Sequence, residues 1–416
     1  MSRVSIVSIL VVVLVGSLLQ ADTRHDKKRP EVPATPEARQ KGIRAGLAYL
    51  DKTLFSLPDM QGTPREPFTY GVAGIAWLLA QDGQRVTGPA GGADPVRRVQ
   101  KRLESYISEV EHRLKDPANL PSIHGMADSS KLVQYTWPIA MAGLFFSEMK
   151  LRGIRADEAG RALTRIEAIL ADCQEANGGW GHGRVSGKED PRTEARIPKE
   201  FRKMMKAGGG YPATLLSSTN CVAPALGVMK LRCGVPTKGL DRAREYYGAA
   251  ELGNGNFPYD PSQRSADADT TGPPRAAGAI FALLAMGVPT TDPVVSKARE
   301  YVAENMEYLS EGHGSATYGL LMGALACRAL GEREWKAFDG MYAPRILGTQ
   351  DKDGAFGCVC EGKSFGTSCD EDHLEMMGFF ADGQKAYITA IQTVILLLDR
   401  TPPRFTPTPS KTTRTR

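Results

Sequence analysis

Five stretches of nearly continuous apolar text, each closing on a glycine, punctuate this chain. They are GVAGIAWLLAQDG to Gly83, IAMAGLFFSEMKLRG to Gly153, APALGVMKLRCG to Gly234, AAGAIFALLAMG to Gly287 and LLMGALACRALG to Gly331. Apolar residues that run round the whole 3.6-residue turn predict helices buried on every side. Small residues such as Gly74, Ala140, Ala223, Ala277, Gly278 and Gly323 let such helices approach closely. The closing glycines predict left-handed C-caps. After the turn the period changes to an amphipathic one. Val96, Val99, Leu103, Ile107, Val110 and Leu114 recur at three- and four-residue steps behind an Asp94-Pro95 cap, and Val294, Val295, Ala298, Tyr301 and Val302 do so behind Asp292-Pro293.

A third signal joins these pairs. Gln174-x3-Gly178-x-Trp180 recurs as Glu251-x3-Gly255-x-Phe257 and as Gln350-x3-Gly354-x-Phe356. The glycines lie 77 and then 99 residues apart, and a degenerate copy near Glu311-Gly312-His313-Gly314 fills the longer gap. The period is therefore about 50 residues. Each unit reads as buried helix, glycine turn, amphipathic helix and Gly-aromatic loop. Ala386 to Asp399 forms a last apolar helix with no partner after it, and Gly42 to Leu50 a helix before the first pair. Circular closure of about six hairpins unites those two ends.

At this spacing, Q-x3-G-x-W resembles the repeat of squalene/hopene cyclases and protein-prenyltransferase β-subunits. The resemblance covers about Arg39 to Arg400 and implies an all-α fold, an α/α toroid with an inner and an outer ring of helices. It also implies that Gln174, Gly178, Trp180, Gly255, Phe257, Gln350, Gly354 and Phe356 serve stability. Fold alone does not carry function, and the catalytic signatures of the superfamily are missing. Asp267-Ala-Asp269-Thr270 and Asp370-Glu371-Asp372-His373 each lack the last Asp of D-x-D-D, and neither the Asp-Cys-His zinc triad nor G-C-G-E-Q occurs.

Parallel inner helices would bring the loops that enter them to one mouth, where helix N-termini add positive potential. The polar residues there outline a ligand site: His124 and Asp128, Tyr211 and Asn220, Asp267, Asp269 and Arg275, His313 and Tyr318, Asp372 and His373. Asp267, Asp269, His313, Asp372 and His373 are the candidates for acid–base work. His124, Tyr211, Asn220, Arg275 and Tyr318 are the candidates for binding. His182 and His313 both sit in Gly-His-Gly, an open turn that suits a general base and equally a turn in which histidine is merely tolerated. Exported toroids include polysaccharide lyases and glycosidases, which use a basic residue or two carboxylates about 5 to 9.5 Å apart; a glycan-acting enzyme is therefore the alternative to a protein that binds a small molecule or glycan. Arg184 to Gly210 inserts eight basic and four acidic residues before the third inner helix, a cationic flap over the mouth suited to an anionic ligand.

The termini and cysteines add context. Arg3 followed by the apolar run Val4 to Leu19 reads as a signal peptide, Met1 to Ala21, with an uncleaved anchor as the alternative. Export to the periplasm or beyond follows, with no stable membrane span after cleavage. Asp22 to Ala38 and Thr401 to Arg416 read as disordered by composition. The net charge of +5 is not arranged in basic stripes with aromatics, which excludes a nucleic-acid surface. Among seven cysteines, Cys221 and Cys233 fall in apolar helical text and read as buried thiols. Cys358, Cys360, Cys369 and His373 lie within one loop. An oxidising compartment predicts a disulfide there, such as Cys360 with Cys369, and no cofactor; the alternative is a Cys3His zinc site.

Overall fold

The computed structural model describes residues 31–56, 65–81, 94–115, 135–175, 177–181, 214–259, 272–311, 316–360 and 381–407. These residues are all-helical, with twelve α-helices and no strand. In chain order the helices are α1 Pro36–Thr53, α2 Arg65–Gln81, α3 Pro95–Lys115, α4 Thr136–Leu151, α5 Ala156–Asp172, α6 Leu216–Leu231, α7 Leu240–Ala250, α8 Gly272–Ala285, α9 Pro293–Glu304, α10 Ala316–Leu330, α11 Glu332–Gly348 and α12 Ala381–Leu397. One 3-10 turn, Met306–Ser310, precedes α10.

The apolar helices are those buried all round. α4, α6 and α8 bury residues on every face, as their sequences require. They pack in series: α2 on α4, α4 on α6, α6 on α8, α8 on α10, α10 on α12, and α12 on α2. Each also carries one amphipathic helix, α3 on α2, α5 on α4, α7 on α6, α9 on α8, α11 on α10 and α1 on α12. The contacts run in parallel register. A side chain at Gly71 would meet Met141 and one at Gly74 would meet Phe145; across the next interface Gly278 faces Asn220 and Gly227 faces Ala285. These N-terminal ends therefore share one end of the molecule.

The amphipathic helices start as their caps dictate. Asp94 Oδ1 accepts from the Val96 N–H at 3.0 Å and Asp292 Oδ1 from the Val294 N–H at 2.9 Å. Val96, Val99, Leu103, Ile107 and Val110 face the core, and Leu114 closes the stripe half-buried. Gly153, Gly234 and Gly287 take the left-handed conformation after their helices. Gly331 differs, with φ +133° and ψ −174°, because α11 begins at the next residue and leaves no room for a cap turn.

The repeated loops are built alike. Gln174 Nε2 donates to the Gly178 carbonyl at 2.9 Å and to the Gly239 carbonyl, just before α7, at 2.8 Å. Gln350 Nε2 repeats this, to Gly354 at 3.1 Å and to Gly42 of α1 at 2.9 Å. Glu251, which cannot donate, accepts from the Gly255 N–H at 2.6 Å and pairs with Lys297 of α9. Gly178, Gly255 and Gly354 all have positive φ, and each presses on a backbone carbonyl of the amphipathic helix belonging to the next pair: Arg242, Lys297 and Ala45. Trp180, Phe257 and Phe356 are fully buried. The N–H groups of Trp180 and Phe356 both donate at 3.0 Å to a threonine of the following apolar helix, Thr219 and Thr389.

Two boundaries differ from the composition-based reading. Order begins ahead of Arg39, since the Thr35 hydroxyl caps α1 and Pro36 fills its first turn. The segment read as disordered from Thr401 is docked as far as Pro407, with Phe405 only 1% exposed. Composition favoured disorder there, but one aromatic anchor and a buried carboxylate on α4 outweigh it. No helix among the described residues is long and apolar enough to cross a membrane.

Candidate functional site: an aromatic layer at the N-terminal ends of the apolar helices

Phe68 lies in the first turn of α2, Trp137 in that of α4 and Tyr318 in that of α10, while Tyr387 lies in the second turn of α12. Their rings converge on Phe68, whose centroid is 5.1 Å from Trp137, 5.9 Å from Tyr318 and 5.7 Å from Tyr387. α2 and α10 are not a neighbouring pair in the series, so the Phe68–Tyr318 contact joins helices that are not adjacent in it. A second contact does the same: the Cys221 thiol of α6 donates to Tyr318 Oη at 2.8 Å. Trp137 and Tyr318 keep partial exposure, whereas Phe68, Cys221 and Tyr387 are buried. Tyr318 is thus partly exposed while its hydroxyl is held by Cys221.

The chemistry of the layer is that of protonated, uncharged groups. Burial pushes the Cys221 thiol up to about 12, against a lowering by its hydrogen bond to Tyr318. Burial likewise holds the Tyr318 and Tyr247 phenols well above their ordinary value. None of the three is a nucleophile or base at neutral pH. They offer ring faces, weak donors and one polarizable sulfur.

Of the residues expected at the mouth, Asn220, Arg275 and Tyr318 are described. Tyr318 joins the aromatic layer, against Phe68 and Cys221. Asn220 and Arg275 are taken up by the scaffold: Tyr247 Oη donates to Asn220 Oδ1 at 2.9 Å, Asn220 Nδ2 donates to the Arg275 carbonyl at 2.9 Å, and Arg275 Nε donates to the Phe257 carbonyl at 2.8 Å. This chain of bonds ties α7, α6, α8 and the second Gly-aromatic loop together. His124, Asp128, His182, Tyr211, Asp267, Asp269, His313, Asp372 and His373 lie outside the described residues, as does the basic insertion from Arg184 to Gly210. Phe68, Trp137 and Tyr387 were not singled out by sequence, and Cys221 was read there only as a buried thiol, because an aromatic or a cysteine in apolar helical text reads as core. Their shared place near helix N-termini was the available signal.

The cysteine loop adjoins this end. Cys358 Sγ lies 3.0 Å from Cys360 Sγ and 3.7 Å from Thr317 Oγ1, beside Tyr318. Neither Cys358 nor Cys360 is a free thiol; Cys173, Cys221, Cys233 and Cys327 are, and all four are buried. Cys369 and His373, needed for the expected disulfide or for the alternative zinc set, lie outside the described residues. Among the described residues, no cluster of three metal-ligating side chains occurs.

No protein-family model matches the sequence, and no curated protein matches it.

Proposed function

We propose that this protein is an exported α/α toroid of six helix pairs that binds a small molecule or glycan at the mouth of its barrel. The cyclic order of helix contacts, in which α12 returns to α2 and to α1, supports the toroid. The three Gly-aromatic loops, each docked on the amphipathic helix of the next pair, support a repeat architecture like that of squalene/hopene cyclases and prenyltransferase β-subunits. The observation that carries the ligand reading is the partial exposure of Trp137 and Tyr318 over an otherwise buried aromatic floor. Ring faces flanked by uncharged hydroxyl and thiol groups suit a ligand with an apolar face and peripheral hydroxyls. The signal peptide read in Met1 to Ala21 supports export.

The experiment uses a property of the four tryptophans. Trp77, Trp180 and Trp335 are buried, and Trp137 alone keeps partial exposure. Titration with neutral and acidic oligosaccharides should give a saturable change in tryptophan fluorescence, absent from Trp137→Phe. A weaker response at high salt for the acidic series alone would assign the basic insertion to recognition. Unchanged fluorescence together with no heat of binding across both series counts against a glycan ligand. Release of shortened sugar products during the titration would move the assignment to a polysaccharide-acting enzyme.

A further inference from the structure

The three Gly-aromatic loops share a backbone but not a chemistry. Each carries a side-chain carbonyl on the residue directly before its glycine: Asn177, Asn254 and Asp353. In the first and third copies the glycine N–H goes to a main-chain carbonyl, Gly178 to Glu175 at 2.9 Å and Gly354 to Asp351 at 3.1 Å. The second copy differs, because Glu251 stands where the others have glutamine. There the Gly255 N–H donates to the Glu251 carboxylate, to Oε1 at 2.6 Å, while Oε2 pairs with Lys297 at 3.6 Å. Asn254 folds its side chain back along the same peptide, and its Oδ1 accepts from the Asn256 N–H at 3.1 Å. Asn254 is exposed to water between Gly253 and Gly255, both at positive φ.

These contacts gather a nitrogen nucleophile, a carboxylate on its proton, an amide carbon within ring-closing reach and an N–H on that amide's oxygen. We propose that Asn254-Gly255 is a self-modification site, at which Glu251 promotes loss of the Asn254 side-chain amide. The Gly255 nitrogen attacks Asn254 Cγ and closes a succinimide ring, while its proton passes to Glu251 Oε1. The Asn256 N–H stabilises the negative charge that gathers on Oδ1. The bond from Cγ to Nδ2 then breaks, and Nδ2 takes the proton back from Glu251 and leaves as ammonia. Water opens the ring at either carbonyl, giving aspartate or isoaspartate. The Gly255 N–H points at Glu251 in the plane of its peptide and attack runs normal to that plane, so base and electrophile do not compete for the nitrogen. Asn177 lacks the base, and its Nδ2 is held by Thr214 Oγ1 at 2.9 Å; Asp353 has no amide to lose. Isoaspartate lengthens the main chain where Gly255 presses on the Lys297 carbonyl, so the modified loop cannot keep its seat on α9. The inference rests on the second loop alone and stands apart from any ligand at the mouth.

The test uses the full-length chain, aged at neutral pH in water enriched in heavy oxygen. Peptide mass mapping with fragmentation then assigns the incorporated label to Asn177, Asn254 or Asn256. Asn254 should convert faster than Asn177 by on the order of tenfold or more, and Glu251→Gln should slow it by a similar factor. Glutamine suits this place, as Gln174 and Gln350 show in the other two copies. A variant that merely loosened the loop would quicken the reaction, so slowing reports the carboxylate itself. An Asn254 no faster than Asn177, or a Glu251→Gln rate equal to or above that of the wild type, overturns the proposal. If Glu251→Gln does not fold by circular dichroism, the wild type is compared with itself in urea: Asn254 should react faster in the folded chain, and an equal or slower rate there overturns the proposal.

Discussion

Replacing Gly354 with alanine perturbs the joint at which the last Gly-aromatic loop meets the first helix. Gly354 has φ +92°, and a Cβ there would lie 2.5 Å from the Ala45 carbonyl oxygen and 2.9 Å from its carbon. Both are helix backbone atoms of α1, which cannot rotate aside as a side chain could. α1 is further fixed at this level by Gln350, bonded to the Gly42 carbonyl. A non-glycine residue at positive φ costs roughly 1–2 kcal/mol, and forcing a packed contact apart costs about 1–3 kcal/mol. The sum is roughly 2–5 kcal/mol, which for a domain of this size lowers the melting temperature by about 3–6 °C. Gly178→Ala should behave alike, since Gly178 has φ +90° and presses on the Arg242 carbonyl. Gly248→Ala on α7 is the control: a Cβ there meets nothing, so the change is neutral or stabilises by up to about 1 kcal/mol. Thermal unfolding followed by far-ultraviolet circular dichroism compares the three. A Gly354→Ala protein that melts with Gly248→Ala would refute the close docking of this loop on α1.

Gln174→Ala removes the donor shared by the Gly178 and Gly239 carbonyls and should cost about 1–3 kcal/mol in chemical unfolding; an unchanged midpoint would show that water replaces the amide. Cys221 yields a pH prediction. Its thiol is held up to about 12 in the folded chain against an ordinary value of 9.0, so its contribution to stability is complete below pH 9 and is lost as pH rises from there toward 12. Cys221→Ala should accordingly shift the alkaline unfolding midpoint upward, measured by circular dichroism alongside phenolate absorbance; an unchanged or lower midpoint would contradict the burial argument.

Much of the helical scaffold was legible because its determinants are local. Asp94 and Asp292 cap as their positions before proline dictate, and the Val96 to Val110 stripe is buried as its period requires. The Gly-aromatic repeat was legible as well, since Gln174 and Gln350 meet the same demand in the same way. What sequence could not supply were partners set by tertiary distance. Thr219 and Thr389 serve equivalent N–H groups, yet they lie 39 and 33 residues after Trp180 and Phe356, because the intervening loops differ in length. Asn220 and Arg275 sit where mouth residues belong by order, but neighbouring helices claim the Asn220 amide and the second Gly-aromatic loop claims the Arg275 guanidinium. Glu148 reads as an ordinary helix glutamate until the backbone of Arg404 and Phe405 arrives to use it. The aromatic layer was hidden for a related reason: Phe68, Trp137 and Tyr387 look like core residues in their own helices, and only the packing of α2 against α4 and α12 brings them together.

Joining α1 to α12 by a designed disulfide tests the closure of the helix series most directly. A Cβ at Gly46 would stand 2.6 Å from Thr393 Oγ1, which places the two Cβ positions near the spacing of about 3.8 Å that a disulfide needs. The Gly46→Cys, Thr393→Cys protein, oxidised and digested without reduction, should yield the peptide linking residues 46 and 393 within a single chain, in nearly full amount. A product linked only between two chains, or two free thiols after oxidation, would mean that the first and last helices do not meet and that the ring is open.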